Sequence, residues 1–317
     1  MRQKKSMEQK VEEYLAHRRS LGFQLKIEGR QLVQFAEYSD DIDHRGPLTI
    51  DLAVRWARIP KNVLPLTWAR RLEVVRPFAR YLAGFECGTE IPPGRMLGPA
   101  HRRIQPYIYF PKEISRLLRA ARKLNPQGGL RPRSYATLIG LMASAGLRTC
   151  EIFKLTRDDV DLERGLLTIR ETKFHKSRLA PLHASTTAAL RKYVRFRDRY
   201  CPLPSSNAFL LSERGTALGE GTVHWTFRRL CDQVKVRAPE GARPPRLYDL
   251  RHTFACRTIL RWHKEGKDVN HWLTVLSTYL GHVKVSDTYW YLTGIPELFA
   301  VTAAKFEHYS QLPIGDL

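Results

Sequence analysis

The sequence contains few cysteines, and none of them is arranged as a disulfide framework or a zinc site would require. No two of the five form a CxxC pair, and their number is odd (Cys87, Cys150, Cys201, Cys231 and Cys256). Small secreted domains and zinc sites depend on paired or regularly spaced cysteines. We therefore expect five reduced thiols and no structural zinc.

Long apolar runs are also missing. No stretch approaches the roughly 18 apolar residues needed to span a bilayer, and the opening MRQKKSMEQKVEEYL is polar where a signal peptide would be apolar. Internal repeats and low-complexity tracts are absent. These observations predict a cytoplasmic protein without a membrane partner, and the 43% hydrophobic content of 317 residues is enough for two domains with ordinary cores.

Acidic residues are too few to balance the basic ones. The chain has 53 Lys and Arg against 31 Asp and Glu, a net charge of +22, of which +5 falls in residues 1–100 and +17 in residues 101–317. Such an excess is typical of a protein that binds a polyanion, because neutralising phosphates releases counterions. Nucleic acid is the predicted partner, and a solvated basic surface without a partner is the alternative.

The hydrophobic pattern divides the chain into two domains. Apolar residues at three- and four-residue steps predict a helical domain over residues 1–87, in which Pro77 is expected to kink or break the last helix. Residues 88–106 are rich in Gly and Pro and predict an extended linker. A second domain is predicted over residues 107–317. Its first helix begins at Pro111 and, with the linker, is a candidate to follow a phosphate backbone.

The segment YATLIGLMASAGLRTCEIFKLT (135–156) contains the first candidate for chemistry. Its apolar spacing predicts a buried helix that Gly146 ends in the left-handed conformation. Arg148 then lies at a corner between helices, where Thr149 is expected to cap the next helix and Glu151 to lie in its first turn. An ordinary corner arginine paired with Glu151 is the alternative to a functional role.

Two further segments carry basic candidates. GLLTIR and RLAPL alternate in polarity and predict a β-hairpin, whose connection ETKFHKS holds Lys173 and Lys176. PPRLYDLRHTFACRTILRW (244–262) predicts a helix with Arg251 and His252 in its first turn, a natural setting for an anion. Solvated hairpin lysines and an exposed helical arginine are the alternatives.

The segment GHVKVSDTYWYL (281–292) places two tyrosines close behind a histidine. Tyr289 lies seven residues after His282, and Tyr291 lies nine residues after it. Each is a candidate nucleophile, and ordinary aromatic packing is the alternative. Before this segment, HKEGKDVNHW is expected to form a polar loop.

Taken in order, Arg148, a hairpin lysine, Arg251, His282 and Tyr291 resemble the tyrosine site-specific recombinases, or phage integrases. The resemblance rests on AGLRTCEIFKL, TKFHKSRLAPL, LYDLRHTFA and YLGHVKVSDTYWYL. It implies a mainly α fold with a small β-hairpin or sheet (α+β), arranged as a two-domain, C-shaped DNA clamp. The first domain would be a SAM-like core-binding domain and the second the catalytic domain.

The resemblance also implies roles. Arg148 and Arg251 would clamp the scissile phosphate, His282 would hydrogen-bond a non-bridging oxygen, and Lys173 would protonate the departing 5′-oxygen, with Lys176 as the alternative. Tyr291 would be the nucleophile that forms a 3′-phosphotyrosine, and Tyr289 would pack. No metal or other cofactor is implied, in keeping with the lack of a carboxylate or His/Cys cluster in the sequence.

One position departs from the family's pattern. Members usually have a histidine, sometimes a lysine, three residues before the second arginine, whereas this chain has Tyr248. A phenol donates a hydrogen bond but is not a cation at neutral pH. We expect Tyr248 to orient the phosphate or the nucleophile, and the proton acceptor of Tyr291 stays open.

The resemblance implies a nucleoid-associated recombinase that integrates, excises or resolves a mobile element, including by transposition. Its partners would be double-stranded DNA with specific sites, three further copies in a homo-tetramer on DNA, and accessory recombinases or DNA-bending proteins. An apolar stripe in the tail predicts a C-terminal helix over residues 296–310, docking on a neighbour or closing its own core. A catalytically impaired DNA-binding protein and a type IB topoisomerase are the alternative functions.

Overall fold

Helices make up most of this computed structural model, which describes residues 5–101, 105–170 and 177–291. The chain divides into two units, Met1–Arg103 and Ile104–Leu317. The division falls inside the segment 88–106, whose Gly and Pro content predicts a linker. Along the described ranges, no helix is both long and apolar enough to cross a membrane.

The first unit is helical, as its apolar spacing predicts. Its described helices are α1 (Met7–Ser20), α2 (Lys26–Asp41), α3 (Ile50–Ala57) and α4 (Pro65–Ala83). The rings of Phe35 and Trp56 meet edge to face at 5.4 Å, and Phe78 packs beside Phe35. All three side chains are buried in the core of this unit.

Of the two effects predicted for Pro77, a kink or a break, the break is wrong, because α4 continues from Pro65 to Ala83. The proline is exposed, whereas Val75 before it and Phe78 after it are buried in the core. A proline inside a helix removes one backbone hydrogen bond and costs about 3 kcal/mol. Burial of the residues on either side outweighs that cost and keeps one helix.

The second unit is mixed. Its described helices are α5 (Pro111–Ala121), α6 (Leu130–Ala145), α7 (Thr149–Lys154), α8 (Ala184–Tyr200), α9 (Glu220–Gln233), α10 (Asp249–Lys264), α11 (Val269–Leu280) and α12 (Ser286–Tyr289). Its described strands are β1 (Val160–Asp161), β2 (Leu166–Ile169) and β3 (Arg178–Pro181). The start of α5 at Pro111 is as predicted.

The strands form an antiparallel sheet in the order β1-β2-β3. Strands β2 and β3 are the predicted hairpin, in the register Leu167 opposite Ala180 and Ile169 opposite Arg178. The short strand β1 was not predicted and pairs Val160 with Leu167. The connection 171–176, with both candidate lysines, lies outside the described residues.

A small apolar cluster between α10 and α11 supports the candidate site. It consists of buried side chains from the two helices together with the ring of Tyr291: Ala255, Cys256, Ile259, Leu273, Leu276, Leu280 and Tyr291. One face of α10 therefore packs into a core, with Trp262 and Phe254 packed against its edge.

The polar loop predicted at HKEGKDVNHW (263–272) is wrong. Helix α10 runs to Lys264 and α11 begins at Val269, so most of the segment is helical. Gly266 has a φ of +68°, which glycine adopts without steric cost, and turns the chain sharply. The rings of Trp262 and Trp272 meet across this turn at 5.4 Å and tie the two helices together. The predicted C-terminal helix 296–310 lies outside the described residues.

Candidate active site

Arg148 lies at a tight corner between α6 and α7. Gly146 ends α6 with a φ of +61°, and a Cβ there would lie 2.3 Å from the ring of Phe254. The backbone N–H of Arg148 donates to Glu151 Oε2 (2.9 Å), which makes Arg148 the N-cap of α7. Thr149 is the first helical residue, so the prediction that it caps α7 is wrong.

The carboxylate of Glu151 lies among three arginines. Its side chain is only 3% exposed, and it accepts hydrogen bonds from Arg148 Nη1 (2.7 Å), Arg178 Nη1 (2.8 Å) and Arg178 Nη2 (2.9 Å). Arg251 Nη1 lies 3.9 Å from Oε2. Burial alone would raise the pKa of Glu151, but these cations reverse the shift and lower the pKa to about 2. Three guanidinium groups thus surround one carboxylate, and the excess positive charge favours an anion.

Arg251 is completely buried, which rules out the exposed helical arginine. Nη1 donates to the carbonyl of Gly146 and Nη2 to the carbonyl of Leu280, both at 2.7 Å. Burial lowers the pKa of Arg251, but guanidinium groups have no acceptor and stay protonated in proteins. The two carbonyls therefore hold a cation in one orientation between the end of α6 and the end of α11.

His282 follows α11 and contacts Arg251. Its Nε2 lies 3.1 Å from Arg251 Nη2, and its Nδ1 lies 2.7 Å from the hydroxyl of the buried Thr288. Since arginine only donates, Nε2 accepts, and Nδ1 carries the hydrogen and donates to Thr288. Burial, reinforced by the charges of Arg251 and Arg148, lowers the pKa of His282 to about 4. The imidazole is therefore neutral at physiological pH.

The glycine before His282 is required by close packing. Gly281 has a φ of +68°, and a Cβ there would lie 2.8 Å from Arg178 Nη1. Its carbonyl accepts a hydrogen bond from Arg148 Nη2 at 2.6 Å. The LGH sequence thus brings Arg148, Arg178 and His282 to one turn.

Tyr291 lies two residues after the end of α12 and is 3% exposed. Its ring stacks on that of His282, with centroids 5.8 Å apart and planes at 19°. Burial raises the pKa of Tyr291, and the positive charge of Arg251 opposes that increase. Tyr289, the alternative candidate, is 47% exposed. Of the two tyrosines, Tyr291 is the one that lies beside the arginine cluster formed by Arg148, Arg178 and Arg251.

Tyr248 is the N-cap residue of α10 and is partly buried. Its ring meets that of His252 edge to face at 5.2 Å, and His252 meets Tyr291 at 5.3 Å. The four rings of Tyr248, His252, Tyr291 and His282 therefore form a continuous row. Tyr248 contacts His252 and also acts electrostatically on Tyr291.

The structure brings together Arg148, Arg251, His282, Tyr291 and, at the margin, Tyr248. Lys173 and its alternative Lys176 lie outside the described residues. Sequence reasoning missed Arg178, whose only signal was its place at the start of β3, where a strand leaves the hairpin connection. It also gave His252 no role, although the residue adjoins Arg251.

Among the described residues, no group of three His, Cys, Asp or Glu side chains could hold a metal ion. No disulfide joins any of the five cysteines, all of which lie in the described ranges, and Cys231 and Cys256 are the buried ones.

The profile of the Phage integrase family matches residues 110–294. A putative integrase/recombinase, y4rB, of Sinorhizobium fredii is 43% identical over 305 residues, covering 94% of this chain and 96% of that protein. The tyrosine recombinase XerD of Caulobacter vibrioides is 30% identical over 232 residues, covering 72% and 70%.

Solved structures share the fold across nearly the whole chain. The integrase of transposon Tn1549, in complex with transposon right end DNA, superimposes with a TM-score of 0.68 at 17% identity. The match covers 96% of this chain and 100% of that one. At this identity, the likeness concerns the fold.

Proposed function

The chain belongs to the phage integrase family of tyrosine recombinases, and from that premise we propose that it is a site-specific DNA recombinase acting through a 3′-phosphotyrosyl intermediate. The observation that carries this proposal is the meeting of Arg148, Arg251 and His282 around the buried ring of Tyr291. These residues lie far apart in the sequence and have the chemistry that phosphoryl transfer needs.

The arginine cluster binds the scissile phosphate. Glu151 and the carbonyls of Gly146, Leu280 and Gly281 fix Arg148 and Arg251 before substrate arrives, so little reorganisation is needed when charge develops. The excess positive charge then stabilises the pentacoordinate phosphorane. Guanidinium groups suit this task because they remain charged and their planar donors match phosphate oxygens.

Cleavage exchanges one phosphodiester for another. The phenol oxygen of Tyr291 bonds to phosphorus as the bond to the 5′-oxygen breaks, and the leaving oxygen takes a proton from Lys173 or, in the alternative, Lys176. Rejoining is the reverse reaction with a new 5′-hydroxyl. The phosphotyrosine conserves the bond energy, so strand exchange needs no external energy source.

His282 serves the transition state through Nε2. In the structure, Nε2 accepts from Arg251 and Nδ1 donates to Thr288. Hydrogen bonding to a non-bridging phosphate oxygen requires a hydrogen on Nε2. A bound phosphate competes for the Arg251 hydrogen that Nε2 accepts, which frees Nε2 to take the other neutral tautomer.

The assembly follows from the same proposal. Residues 107–317 form the catalytic domain and residues 1–87 a core-binding domain, joined by the linker 88–106 and acting on double-stranded DNA in the nucleoid. Four copies bind two DNA sites, with accessory recombinases or DNA-bending proteins as further partners. The helix at 296–310 docks on the neighbouring copy, which couples each active site to its partner.

The experiment that tests the function captures a covalent adduct. The purified chain is incubated with a library of nicked, randomised DNA duplexes and with sheared genomic DNA, and adducts that survive detergent are isolated and sequenced. We expect adducts joined to 3′ ends at a shared sequence. DNA binding without any adduct would identify an impaired DNA-binding protein, and relaxation of supercoiled plasmid of any sequence would identify a topoisomerase.

A further inference from the structure

His252 lies beside the candidate nucleophile Tyr291. It is not one of the residues proposed to bind the phosphate, which are Arg148, Arg251 and His282. Its ring fills the space between Tyr248, at 5.2 Å and 74°, and Tyr291, at 5.3 Å and 59°. Its Nδ1 is buried and has no hydrogen-bond partner among the described residues. A buried polar atom without a partner is costly, and natural proteins keep few of them. This one lies on a ring that touches the candidate nucleophile.

Tyr291 must lose its proton when its oxygen bonds to phosphorus. The groups described around its ring offer few acceptors. The two nitrogens of His282 are engaged with Arg251 and Thr288, and the thiol of Cys256 points to the backbone carbonyl of Tyr291. Arginine has no acceptor. The phenol of Tyr248 also acts electrostatically on Tyr291, but a neutral phenol is a poor proton acceptor.

We propose that His252 is the proton acceptor for Tyr291 in strand cleavage, a role that rests on the proposed recombinase function. The bond between hydrogen and the phenol oxygen breaks, and the proton moves to a ring nitrogen of His252 while the oxygen bonds to phosphorus. In rejoining, the imidazolium returns the proton to the departing phenol. Tyr248 packs on the far side of His252 and positions its ring.

The charges around His252 keep it ready to accept. Burial, followed by the positive charges of Arg246 and Arg251, lowers the pKa of His252 to about 4. It is therefore neutral throughout the physiological pH range. A phosphate bound at Arg251 adds negative charge next to the ring, which favours the imidazolium at the moment the proton arrives.

Arg251 acts in the same direction on the pKa of both partners in the proton transfer. Arg251 lowers the pKa of the Tyr291 phenol and, before phosphate binds, also lowers that of His252. Phosphate neutralises part of the second effect. A bound phosphate therefore makes His252 a stronger base than it is in the free enzyme.

His252→Phe tests the proposal, because phenylalanine keeps a flat ring between the tyrosines and removes both nitrogens. With nicked duplexes recovered by adduct capture, single-turnover cleavage by the wild type should be nearly independent of pH between about 5.5 and 8, since His252 is already deprotonated there. The variant should cleave on the order of 10²-fold more slowly at neutral pH. Its rate should rise about tenfold per pH unit, because hydroxide replaces the missing base.

His263→Phe is the matched control, the same substitution near the other end of α10, and should leave both the rate and its pH profile unchanged. His252→Ala supplies a second measurement, in which added imidazole should restore cleavage. DNA affinity and melting temperature are measured for each variant. This separates chemistry from folding even if one substitution is poorly tolerated.

Each remaining outcome decides between explanations. Wild-type cleavage together with a His252→Phe profile that is merely lowered at every pH, without rescue of His252→Ala, would overturn the proposal and leave the recombinase function standing. A pH-dependent profile for Tyr248→Phe and not for His252→Phe would also overturn the proposal and leave the recombinase function standing. A wild-type chain that forms no adduct at all contradicts the proposed function.

Discussion

Arg178 and Glu151 form a two-pronged ion pair, with Nη1 2.8 Å from Oε1 and Nη2 2.9 Å from Oε2. The pair joins the start of β3 to the first turn of α7. Nε of Arg178 also donates to the carbonyl of Tyr279 at 2.8 Å, which links the pair to α11. The hairpin, the corner of Arg148 and the turn of His282 are therefore held together through one guanidinium.

Arg178→Met should destabilise the fold and slow cleavage. The change leaves the buried Glu151 without its two-pronged partner, and removing one member of a buried ion pair costs about 3–5 kcal/mol. Arg164→Met is the control, because Arg164 is 80% exposed and lies 3.9 Å from Asp161. It should change the free energy of unfolding by less than about 1 kcal/mol. If the two variants had equal melting temperatures, Arg178 would not stabilise the fold through its ion pair with Glu151.

Glu151 should make stability depend on pH in the acidic range. Its pKa is lowered from 4.5 to about 2 in the folded chain, so its contribution is fully present above pH 4.5 and is lost as the pH falls toward 2. The loss amounts to roughly 3 kcal/mol. Chemical unfolding of the wild type and Glu151→Gln across this range should give a difference that shrinks with acidification. A constant difference would show that Glu151 titrates normally.

Tyr291→Phe should bind DNA as the wild type does and form no covalent adduct, since the phenol oxygen is the atom that bonds to phosphorus. Tyr289→Phe is the matched control two residues away on an exposed ring, and its adduct yield should be normal. The measurement is detergent-resistant adduct on nicked duplex. An adduct with Tyr291→Phe, or its loss with Tyr289→Phe, would reassign the nucleophile.

Arg251→Met should lower the cleavage rate on the order of 10²-fold or more, because it removes a fixed cation from the transition state. Affinity for DNA should fall far less, since many other basic residues contribute to binding. Arg257→Met is the control on the same helix, where Arg257 Nη2 donates to the carbonyl of Tyr109 outside the cluster. Arg257→Met should lower the melting temperature and leave the rate of single-turnover cleavage unchanged. Similar cleavage rates for both variants would show that Arg251 does not clamp the scissile phosphate.

Deleting the chain from Ile295 onward tests how the predicted C-terminal helix docks. If the helix docks on a neighbour, the truncated protein keeps its melting temperature and binds single sites but loses cooperative binding and recombination. Melting curves and binding to one-site and two-site DNA report the two effects. A large fall in melting temperature would show that the helix closes its own domain.

Local sequence patterns determined the family and most of the candidate site. Gly146 ends a helix and presents Arg148, Arg251 falls in a first turn, and Tyr291 follows His282 at a fixed spacing. Each of these relations spans only a few residues, so spacing and turn chemistry suffice to predict it. The charge excess predicted a nucleic-acid partner in the same way, because composition does not depend on the fold.

Only the tertiary structure decided which polar groups meet. Apart from its place at the start of a predicted strand, nothing near Arg178 in the sequence distinguishes it from the many other arginines, and its partner Glu151 is 27 residues away. His252 gains its place from the packing of α10 against the turn that carries Tyr291. The same long-range packing keeps α4 helical through Pro77 and makes a helix pair of the segment predicted as a loop. Burial free energy is a property of the whole core, so it overrides local propensity where the two disagree.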